Sequence, residues 1–311
     1  MSFKKVTVAG GGVLGSQIAF QTAFKGFDTI VWLRSEDSIK RARPKFDRLR
    51  DIYLGILEDA KTNTHAAWPA SWGEKPDAAG IDALKEQVLT AYNNLTLTTS
   101  YEEAADADLV IESIAEDPAQ KTAFYQELAK HLPERTVVAT NSSTMLPSTF
   151  AKATGRPEKY LALHFANEIW AHNTAEVMGH AGTDQTYYDL VVEFAQQIGM
   201  VPLLLHKEQP GYILNSMLVP FINSSLALWA NDVSDPETID KTWMLGTGAP
   251  AGPFRILDIV GLTTAYNINA MQPDASNPNS IHAKIAAKLK AKIDAGELGI
   301  NAGKGFYDYS K

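Results

Sequence analysis

The order of apolar and polar positions predicts alternating strands and helices over the first two thirds of the chain. Residues 5–9 form a short β-branched run typical of a strand, and residues 29–33 form a second one. Between them, small and apolar residues recur at the spacing of one helical face, at Ile18, Ala19, Thr22 and Ala23. A strand, a turn, a helix and a strand within about thirty residues have the size of a βαβ unit.

The same alternation continues to the end of this region. Further strands are predicted at residues 95–98, 109–114, 136–140, 160–164 and 201–206. Helices are predicted around residues 46–57, 119–131 and 185–199, and a loop rich in Ala, Pro and Trp occupies residues 64–80. Strands that alternate with helices predict an α/β fold with a doubly wound, mostly parallel sheet.

The last third of the chain shows helical spacing only. The Glu-Gln-Pro-Gly run at residues 208–211 is the best candidate for a linker. We therefore predict two domains, residues 1–207 and residues 208–311, the second of them all-helical. The longest apolar segment, residues 212–230, predicts a core helix rather than a membrane span, because polar residues and a proline interrupt it: Asn215, Ser216, Pro220, Asn223, Ser224 and Ser225.

A glycine turn joins the first strand to the first helix. Gly10, Gly12 and Gly15, with Val13 and Leu14 between the last two, follow the GxGxxG spacing of a dinucleotide-binding turn. Gly10 permits the tight turn, Gly12 lets the backbone approach a pyrophosphate, and Gly15 lets the helix lie close to the strand. The helix N-terminus then faces the phosphate charge. In this strand-turn-helix context the turn predicts a Rossmann-type NAD(P)-binding domain; a plain glycine turn is the alternative.

The residues after the second strand indicate which dinucleotide is preferred. NAD-binding sheets place an acidic residue there to bond the ribose 2′-hydroxyl, whereas this chain has Arg34 followed by Ser35. A guanidinium and a hydroxyl would bind a 2′-phosphate, which a carboxylate repels. We therefore expect NADP as the preferred cofactor, with NAD possible. In the alternative interpretation, Arg34 is a solvated surface residue and Glu36 or Asp37 takes the acidic role.

Composition and charge narrow the classes of function. The 311 residues include no cysteine, which excludes disulfides, thiol nucleophiles and cysteine-ligated metals and fits a cytoplasmic location. A net charge of −8 disfavours nucleic acid as a partner. No spacing of histidines or carboxylates indicates a metal site. We therefore expect a soluble, cytoplasmic, metal-free protein that binds small molecules and neither nucleic acid nor a membrane.

Beyond the glycine turn, seven segments carry a more specific pattern. They are residues 108–116 (DLVIESIAE, followed by Lys121), 140–143 (TNSS), 164–167 (HFAN), 175–177 (AEV), 211–220 (GYILNSMLVP), 246–261 (GTGAPAGPFRILDIVG) and 303–309 (GKGFYDY). In this order, and over nearly the whole chain, they resemble motifs of the L-3-hydroxyacyl-CoA dehydrogenase (3-hydroxybutyryl-CoA dehydrogenase) family. The resemblance implies an oxidoreductase that interconverts a short-chain L-3-hydroxyacyl-CoA and its 3-oxo form.

The resemblance also implies a role for particular residues. Oxidation of a secondary alcohol needs a hydride acceptor and a base for the hydroxyl proton, and histidine suits the second task because its ordinary pKa is near neutrality. His164 would be this base, Glu176 would orient its imidazole, and Ser143 and Asn215 would donate hydrogen bonds to the substrate. The cofactor contacts implied in addition to the glycine turn are Glu116, Lys121 and Asn141. The implied assembly is a homodimer through the helical domain.

Taken singly, these residues have plainer interpretations. A histidine at a strand end is more often structural than catalytic, Glu176 would be an exposed loop carboxylate, Asn215 a helix-surface amide and Ser143 a turn former. The ordered set of motifs favours the catalytic interpretation, with His164 as its centre.

Two regions depart from the family pattern and leave the substrate open. Where the family has a proline after HFFN, this chain has Glu168, beside the expected reaction site. The loop at residues 64–80 falls where the family has a helix pair that helps to bind CoA, and Lys61 and Lys75 are the candidates for meeting its phosphates. One alternative is therefore the same hydride chemistry on a free 3-hydroxy acid or another small polar substrate. The other is a non-catalytic dinucleotide-binding sensor or structural protein.

Overall fold

The computed structural model describes residues 2–63 and 65–310, which divide into two compact units. One unit extends to Ile213 and the other begins at Leu214, past the predicted division between residues 207 and 208. The first unit continues because its last two residues are hydrogen-bonded within it. The Tyr212 hydroxyl donates to the Ser142 carbonyl, and the Ile213 amide donates to the Glu176 carboxylate.

Within the described residues, the first unit contains one eight-stranded sheet. Its strands are β1 (Lys5–Ala9), β2 (Asp28–Trp32), β3 (Thr96–Thr98), β4 (Leu109–Glu112), β5 (Val137–Thr140), β6 (Tyr160–Phe165), β7 (Thr174–Gly179) and β8 (Val201–Leu205). The order is β3-β2-β1-β4-β5-β6-β7-β8, and neighbours are parallel except β6 and β7. This confirms the predicted mostly parallel, doubly wound sheet. The order switches direction between β1 and β4, which opens a crevice at their carboxyl ends.

Helices connect these strands. They are α1 (Val13–Phe24), α2 (Glu36–Thr62), α3 (Ala78–Asn94), α4 (Tyr101–Ala105), α5 (Pro118–Leu128) and α6 (Gln185–Gln197). The predicted helices correspond to α1, α2, α5 and α6, whereas α3, α4 and β7 were not predicted. Short 3₁₀ turns lie at Ala70–Trp72, Pro147–Thr149, Ala151–Thr154 and Pro157–Lys159.

The predicted loop at residues 64–80 is shorter than expected. Thr64, its first residue, lies outside the described residues, and α3 already begins at Ala78, where the Asp77 side chain accepts a hydrogen bond from the Gly80 amide. The helix α3 packs on α2, and the Lys61 ammonium pairs with Asp82 across the two helices at 2.7 Å. On either side of the shorter loop, where the sequence indicated a departure from the family, the helices α2 and α3 thus form a helix pair. One of the two candidate phosphate-binding lysines, Lys61, is engaged in holding it together.

The sheet is buried on both faces, which explains the nearly continuous apolar runs of its central strands. Successive residues alternate between two core clusters: Val8 belongs to one and Ala9 to the other, as do Ile111 and Val110 on the neighbouring strand. The side chains of these four residues are completely buried. A rigid central sheet therefore carries the loops at its carboxyl edge.

The second unit is helical, as predicted, with only isolated bridges near the C-terminus among its described residues. Its helices are most of α7 (Tyr212–Ala230), α8 (Pro236–Thr247), α9 (Pro253–Val260), α10 (Leu262–Ala270) and α11 (Ile281–Asp294), followed by a 3₁₀ turn at Ile300–Ala302. Leu226, Phe254 and Leu289 belong to its buried core. The buried carboxylate of Asp258 accepts hydrogen bonds from the Phe306 and Tyr307 amides and so fixes the C-terminal segment.

The helix α7 is more apolar than its polar residues led us to expect. Its most apolar 18-residue window has a mean hydropathy of 1.4, and 17% of that window is buried. By length and composition it meets what a membrane span requires, a criterion that core helices of soluble proteins also meet. The expected absence of a membrane partner therefore stays a prediction. The apolar surface of α7 is largely exposed, and a binding partner would bury it.

Candidate active site

The glycine turn at the switch point has the geometry that close ligand approach requires. Gly10 has a φ of +119°, and a Cβ at this position would lie 2.2 Å from the Ser113 carbonyl oxygen. A Cβ on Gly15 would lie 2.3 Å from the Gly10 carbonyl oxygen, so the start of α1 lies directly against the turn. A Cβ on Gly12 would meet open space. Gly12 thus leaves its face of the backbone free for a ligand.

The N-terminus of α1 offers donors at this point. Its N-cap is Gly12, and none of the described side chains caps it. The first-turn amides of a helix lack intrahelical acceptors and carry a partial positive charge, and here they include those of Val13 and Leu14. An open glycine face beside uncapped amides fits the pyrophosphate of a dinucleotide.

The end of β2 carries cationic and hydroxyl groups. Leu33 follows the strand directly and is buried, and the exposed Arg34 comes next. Ser35 caps α2, and its hydroxyl lies 3.0 Å from that of Ser38. The Arg41 guanidinium donates to the Ser38 hydroxyl at 2.9 Å. Sequence reasoning missed Ser38 and Arg41, which the helical spacing from the N-cap could have indicated.

Lys121 forms a buried ion pair at the end of β4. Its side chain is completely buried, and its ammonium donates to Glu112 Oε1 at 2.6 Å. The other carboxylate oxygen of Glu112 accepts from the hydroxyls of Tyr125 and Thr140 at 2.7 and 2.8 Å. Burial and the neighbouring Glu112 charge raise the pKa of Tyr125 well above its usual range, so this phenol stays a donor. Lys121 therefore links α5 to the end of β4 inside the protein, and its direct contact with a cofactor stays a prediction.

Glu116 and Asn141 shape the loops above this network. The Glu116 carboxylate accepts from the Ser142 hydroxyl at 2.8 Å and from the Ser143 amide at 3.1 Å. Asn141 is buried, accepts from the Phe165 amide at 3.0 Å and donates to the Ser113 hydroxyl at 3.2 Å. Both residues lie at the carboxyl edge of the sheet, next to the glycine turn. Their direct contact with a cofactor stays a prediction.

Three of the predicted catalytic residues form one line of hydrogen-bonding groups. His164 Nδ1 lies 3.0 Å from Glu176 Oε2, and His164 Nε2 lies 3.1 Å from Ser143 Oγ. His164 and Glu176 are directly opposite each other in the antiparallel β6–β7 pair and are 7% and 3% exposed. Glu176 is therefore a buried strand residue, and the interpretation of it as an exposed loop carboxylate is wrong.

This arrangement fixes the tautomer of the imidazole. An ionised carboxylate only accepts, so His164 carries its proton on Nδ1 and presents the Nε2 lone pair. The Ser143 hydroxyl donates to that lone pair here. A substrate hydroxyl that reached the same point could give its proton to Nε2, while Glu176 stabilises the positive charge that forms.

The remaining predicted site residues divide between the units. Asn215 belongs to the second unit, on α7, and its role stays a prediction. The loop between β6 and β7 holds Glu168, which has a φ of +57° and whose amide donates to the Gln17 side chain at 2.8 Å. Gln17 lies on α1, so this unusual loop is fastened beside the glycine turn. Among the described residues, no group of three or more His, Cys, Asp or Glu could hold a metal ion.

Two family models match this chain. Residues 5–209 match the family model described as 3-hydroxyacyl-CoA dehydrogenase, NAD binding domain, and residues 211–309 match 3-hydroxyacyl-CoA dehydrogenase, C-terminal domain. The chain is 30% identical to the 3-hydroxybutyryl-CoA dehydrogenase of Clostridioides difficile over 99% of this chain and 100% of that protein.

Solved structures extend the comparison. One, described as a diketoreductase with substrate-directed dual catalysis of dicarbonyl compounds, is 44% identical, with a TM-score of 0.85 and coverage of 99% of this chain and 100% of that one. M. tuberculosis FadB2 is 27% identical, with a TM-score of 0.77 and the same coverage. The matches thus span both units of the chain.

Proposed function

The chain belongs to the 3-hydroxyacyl-CoA dehydrogenase family and is an oxidoreductase that uses a nicotinamide dinucleotide, and we propose that it interconverts a short-chain L-3-hydroxyacyl-CoA and the corresponding 3-oxoacyl-CoA. The observation that carries this proposal is the line from Glu176 through His164 to Ser143 at the carboxyl edge of the sheet. A buried carboxylate, an oriented imidazole and a hydroxyl are the groups that oxidation of a secondary alcohol needs.

The chain's own residues manage the proton. In oxidation, His164 Nε2 would take the proton of the 3-hydroxyl. The nicotinamide dinucleotide, when bound, would supply the hydride acceptor for oxidation and the hydride donor for reduction. In reduction, the protonated imidazole would return its proton to the 3-oxygen. The Ser143 hydroxyl would donate to that oxygen, and Glu176 would stabilise the imidazolium.

Loss of the imidazole should abolish this proton transfer. We expect His164→Ala to lower kcat by about 10²–10⁴-fold, the usual contribution of a general acid or base. The dissociation constant of the cofactor, measured by the fluorescence of the reduced nicotinamide, should stay within about threefold of wild type. His131→Ala, in the turn that follows α5, is the control and should retain kcat. Wild-type turnover in His164→Ala would remove this residue from its role.

A second candidate substrate class is a free dicarbonyl or 3-hydroxy acid. Glu168 brings a carboxylate into the loop beside the glycine turn, and the similar diketoreductase acts on dicarbonyl compounds. The same assay decides between the two classes, with acetoacetyl-CoA and free 3-oxo acids compared at equal concentration. A higher kcat/KM for acetoacetyl-CoA supports the first class, and activity on the free compounds alone supports the second. Cofactor binding without turnover on either would indicate a sensor.

The cofactor that we propose is NADP, with NAD as the weaker alternative. The support is the group formed by Arg34, Ser35, Ser38 and Arg41 at the end of β2, where two hydroxyls and two guanidiniums would meet a 2′-phosphate. Leu33, directly after the strand, cannot accept from a ribose hydroxyl. Glu36 and Asp37 directly follow Ser35, in the first turn of α2. Their carboxylates keep the alternative cofactor, NAD, open.

Reversal of one charge tests this preference. We expect Arg34→Asp to shift the ratio of kcat/KM for NADPH over NADH toward NADH by about 10–100-fold, since hydrogen bonds to charged groups contribute about 1.5–3 kcal/mol. Arg41→Ala should shift it in the same direction by less. Arg48→Asp, an exposed position on the same helix, is the matched control and should leave the ratio unchanged. A wild-type enzyme that prefers NADH would refute the proposal.

We also propose a homodimer formed through the second unit. A groove of about 460 Å³ between α7 and α8 is lined by Phe221, Leu228 and Trp243. Nearby along the same helices, the side chains of Met217 and Leu245 are 62% and 80% exposed. Exposed apolar surface of this kind marks interfaces, and a second copy of the chain would cover it.

A further inference from the structure

The residue after Gly211 lies directly on the imidazole of His164. The ring centroids of Tyr212 and His164 are 4.4 Å apart, and the ring planes are inclined by only 12°. The side chain of Tyr212 is 1% exposed, so its ring packs against the imidazole inside the protein. One face of the imidazole is therefore closed by an aromatic ring.

Tyr212 and the residue after it also reach the other two members of the line. The Tyr212 hydroxyl donates to the Ser142 carbonyl at 2.7 Å, and Ser142 immediately precedes Ser143. The Ile213 amide donates at 2.9 Å to Glu176 Oε1, the carboxylate oxygen that does not face His164 Nδ1. Two consecutive residues thus touch the imidazole, its carboxylate and the turn that carries the hydroxyl.

The backbone adopts an uncommon conformation to achieve this. Gly211 has a φ of +78° and Tyr212 a φ of +54°, and the left-handed region is unfavourable for a residue with a large side chain. This conformation lies at the start of α7, where the chain turns against the carboxyl edge of the sheet. Such a conformation persists where the surrounding contacts fix it, as the stacked ring and the two hydrogen bonds do here.

The hydroxyl of Tyr212 remains a donor over the whole working range of pH. Burial raises its pKa above the usual range, and the negative charges of Glu176, Glu116 and Glu112 add to this effect. The hydrogen bond to Ser142 therefore does not switch with pH.

We propose that Tyr212 is a positioning residue for proton transfer: its ring fixes the plane of the His164 imidazole, and its hydroxyl fixes the Ser142–Ser143 turn. The inference rests on the proposed role of His164. The face of the ring also favours the imidazolium that forms when His164 takes the substrate proton. The proposed pyrophosphate site is the glycine turn, so we expect Tyr212 to act on the chemical step and not on dinucleotide affinity.

Two substitutions separate the two parts of this role. Tyr212→Phe keeps the stacked ring and loses the hydroxyl, and we expect kcat to fall by about 2–10-fold, as for loss of one neutral hydrogen bond. Tyr212→Leu also loses the ring, and we expect kcat to fall by about 10–100-fold, since misplacement by about 1 Å costs about that much. KM and the cofactor dissociation constant should stay within about threefold of wild type in both variants.

A solvent isotope effect distinguishes positioning from a loss of folded protein. In Tyr212→Leu, proton transfer becomes slower, so the ratio of kcat in H₂O to kcat in D₂O should rise above the wild-type ratio. A smaller amount of folded enzyme lowers the apparent kcat without changing that ratio. Tyr53→Phe is the matched control: Tyr53 is a buried tyrosine whose hydroxyl donates to Gln21 at 2.6 Å, and it should retain kcat.

Three results would overturn the inference. They are wild-type kcat in Tyr212→Leu, an unchanged isotope ratio with a lowered kcat, or a loss of cofactor affinity in Tyr212→Phe. His164→Ala, measured in the same series, separates the two proposals. If it loses turnover while Tyr212→Leu keeps it, only the role of Tyr212 fails; if it keeps turnover, the proposed function fails as well.

Discussion

At the scale of single residues, the direction of a side chain decides which contacts the residue makes. The resemblance implied that Lys121 contacts the cofactor, and the structure buries its ammonium against Glu112 at 2.6 Å. A motif fixes the position of a residue along the chain but not whether its side chain lies above or beneath the loop. The resemblance paired His164 with Glu176, and the structure places these two residues opposite each other on β6 and β7.

The burial of Lys121 predicts an effect on stability instead of affinity. We expect Lys121→Met to lower the free energy of unfolding by about 3–5 kcal/mol, because it leaves the Glu112 carboxylate buried without its cation. Denaturation with urea measures this change, and a nicotinamide fluorescence titration measures cofactor binding on the folded fraction. Cofactor affinity should stay within about threefold of wild type.

Two further variants are measured in the same way, one at an exposed lysine and one at both partners of the buried pair. Lys130→Met removes an exposed ammonium that lies just after α5 and pairs with Glu127, and it should cost less than about 1 kcal/mol. Replacement of both partners, in Lys121→Met with Glu112→Leu, should recover part of the lost stability. An unchanged stability with a cofactor affinity lowered more than about tenfold would instead return Lys121 to the cofactor site.

At the scale of elements, the strands with a strong apolar pattern were predicted correctly. The strands β1, β4 and β5 are short apolar runs buried on both faces, and their predicted bounds agree with the structure to within two residues. The glycine turn was located by its GxGxxG spacing, and in the structure Gly10 and Gly15 meet backbone atoms where a Cβ cannot fit. The apolar runs and the glycine spacing are local patterns along the chain, which is why the sequence reveals them.

The missed elements depend on contacts that are distant in sequence. The strand β7 carries Glu176 at a buried position, so its apolar pattern is interrupted by the residue that the site needs. Its antiparallel pairing with β6 brings Glu176 opposite His164, a register that no local pattern specifies. The helix α3 was overlooked because only Ile81, Val88 and Ala91 along it are buried, too few for a continuous apolar stripe.

The boundary between the units has a similar explanation. Pro210 and Gly211 are typical linker residues, and the sequence favoured a division just before them. Tyr212 and Ile213 nevertheless stay with the first unit, because their hydroxyl and amide bind Ser142 and Glu176. The two residues that follow the apparent linker thus contact residues of the candidate site.

At the scale of the whole molecule, net charge and local charge act separately. The chain carries a net charge of −8, which disfavours long polyanions. The proposed ligands are anionic too, and the devices that would hold them are local: the uncapped N-terminus of α1 and the guanidiniums of Arg34 and Arg41. A global count of charges therefore describes the surface of this protein without describing its site.

The exposed apolar surface of the second unit leads to a prediction about assembly. We expect sedimentation equilibrium to give twice the mass of the chain at micromolar concentration. Trp243, 40% exposed and lining the groove between α7 and α8, should be central to the contact. Trp243→Glu should raise the dimer dissociation constant by more than about 30-fold, since central tryptophans contribute about 2 kcal/mol or more.

A control and a competing arm make this prediction specific. Met271→Glu changes an 81% exposed methionine outside the groove and should leave the dissociation constant unchanged. Because α7 is also apolar enough to cross a bilayer, the same proteins are mixed with phosphatidylcholine vesicles and centrifuged. A dimer that stays in the supernatant supports a second copy as the cover of the groove. A monomer that sediments with the vesicles would assign this surface to a membrane, and equal dissociation constants for wild type and Trp243→Glu would place the dimer contact elsewhere.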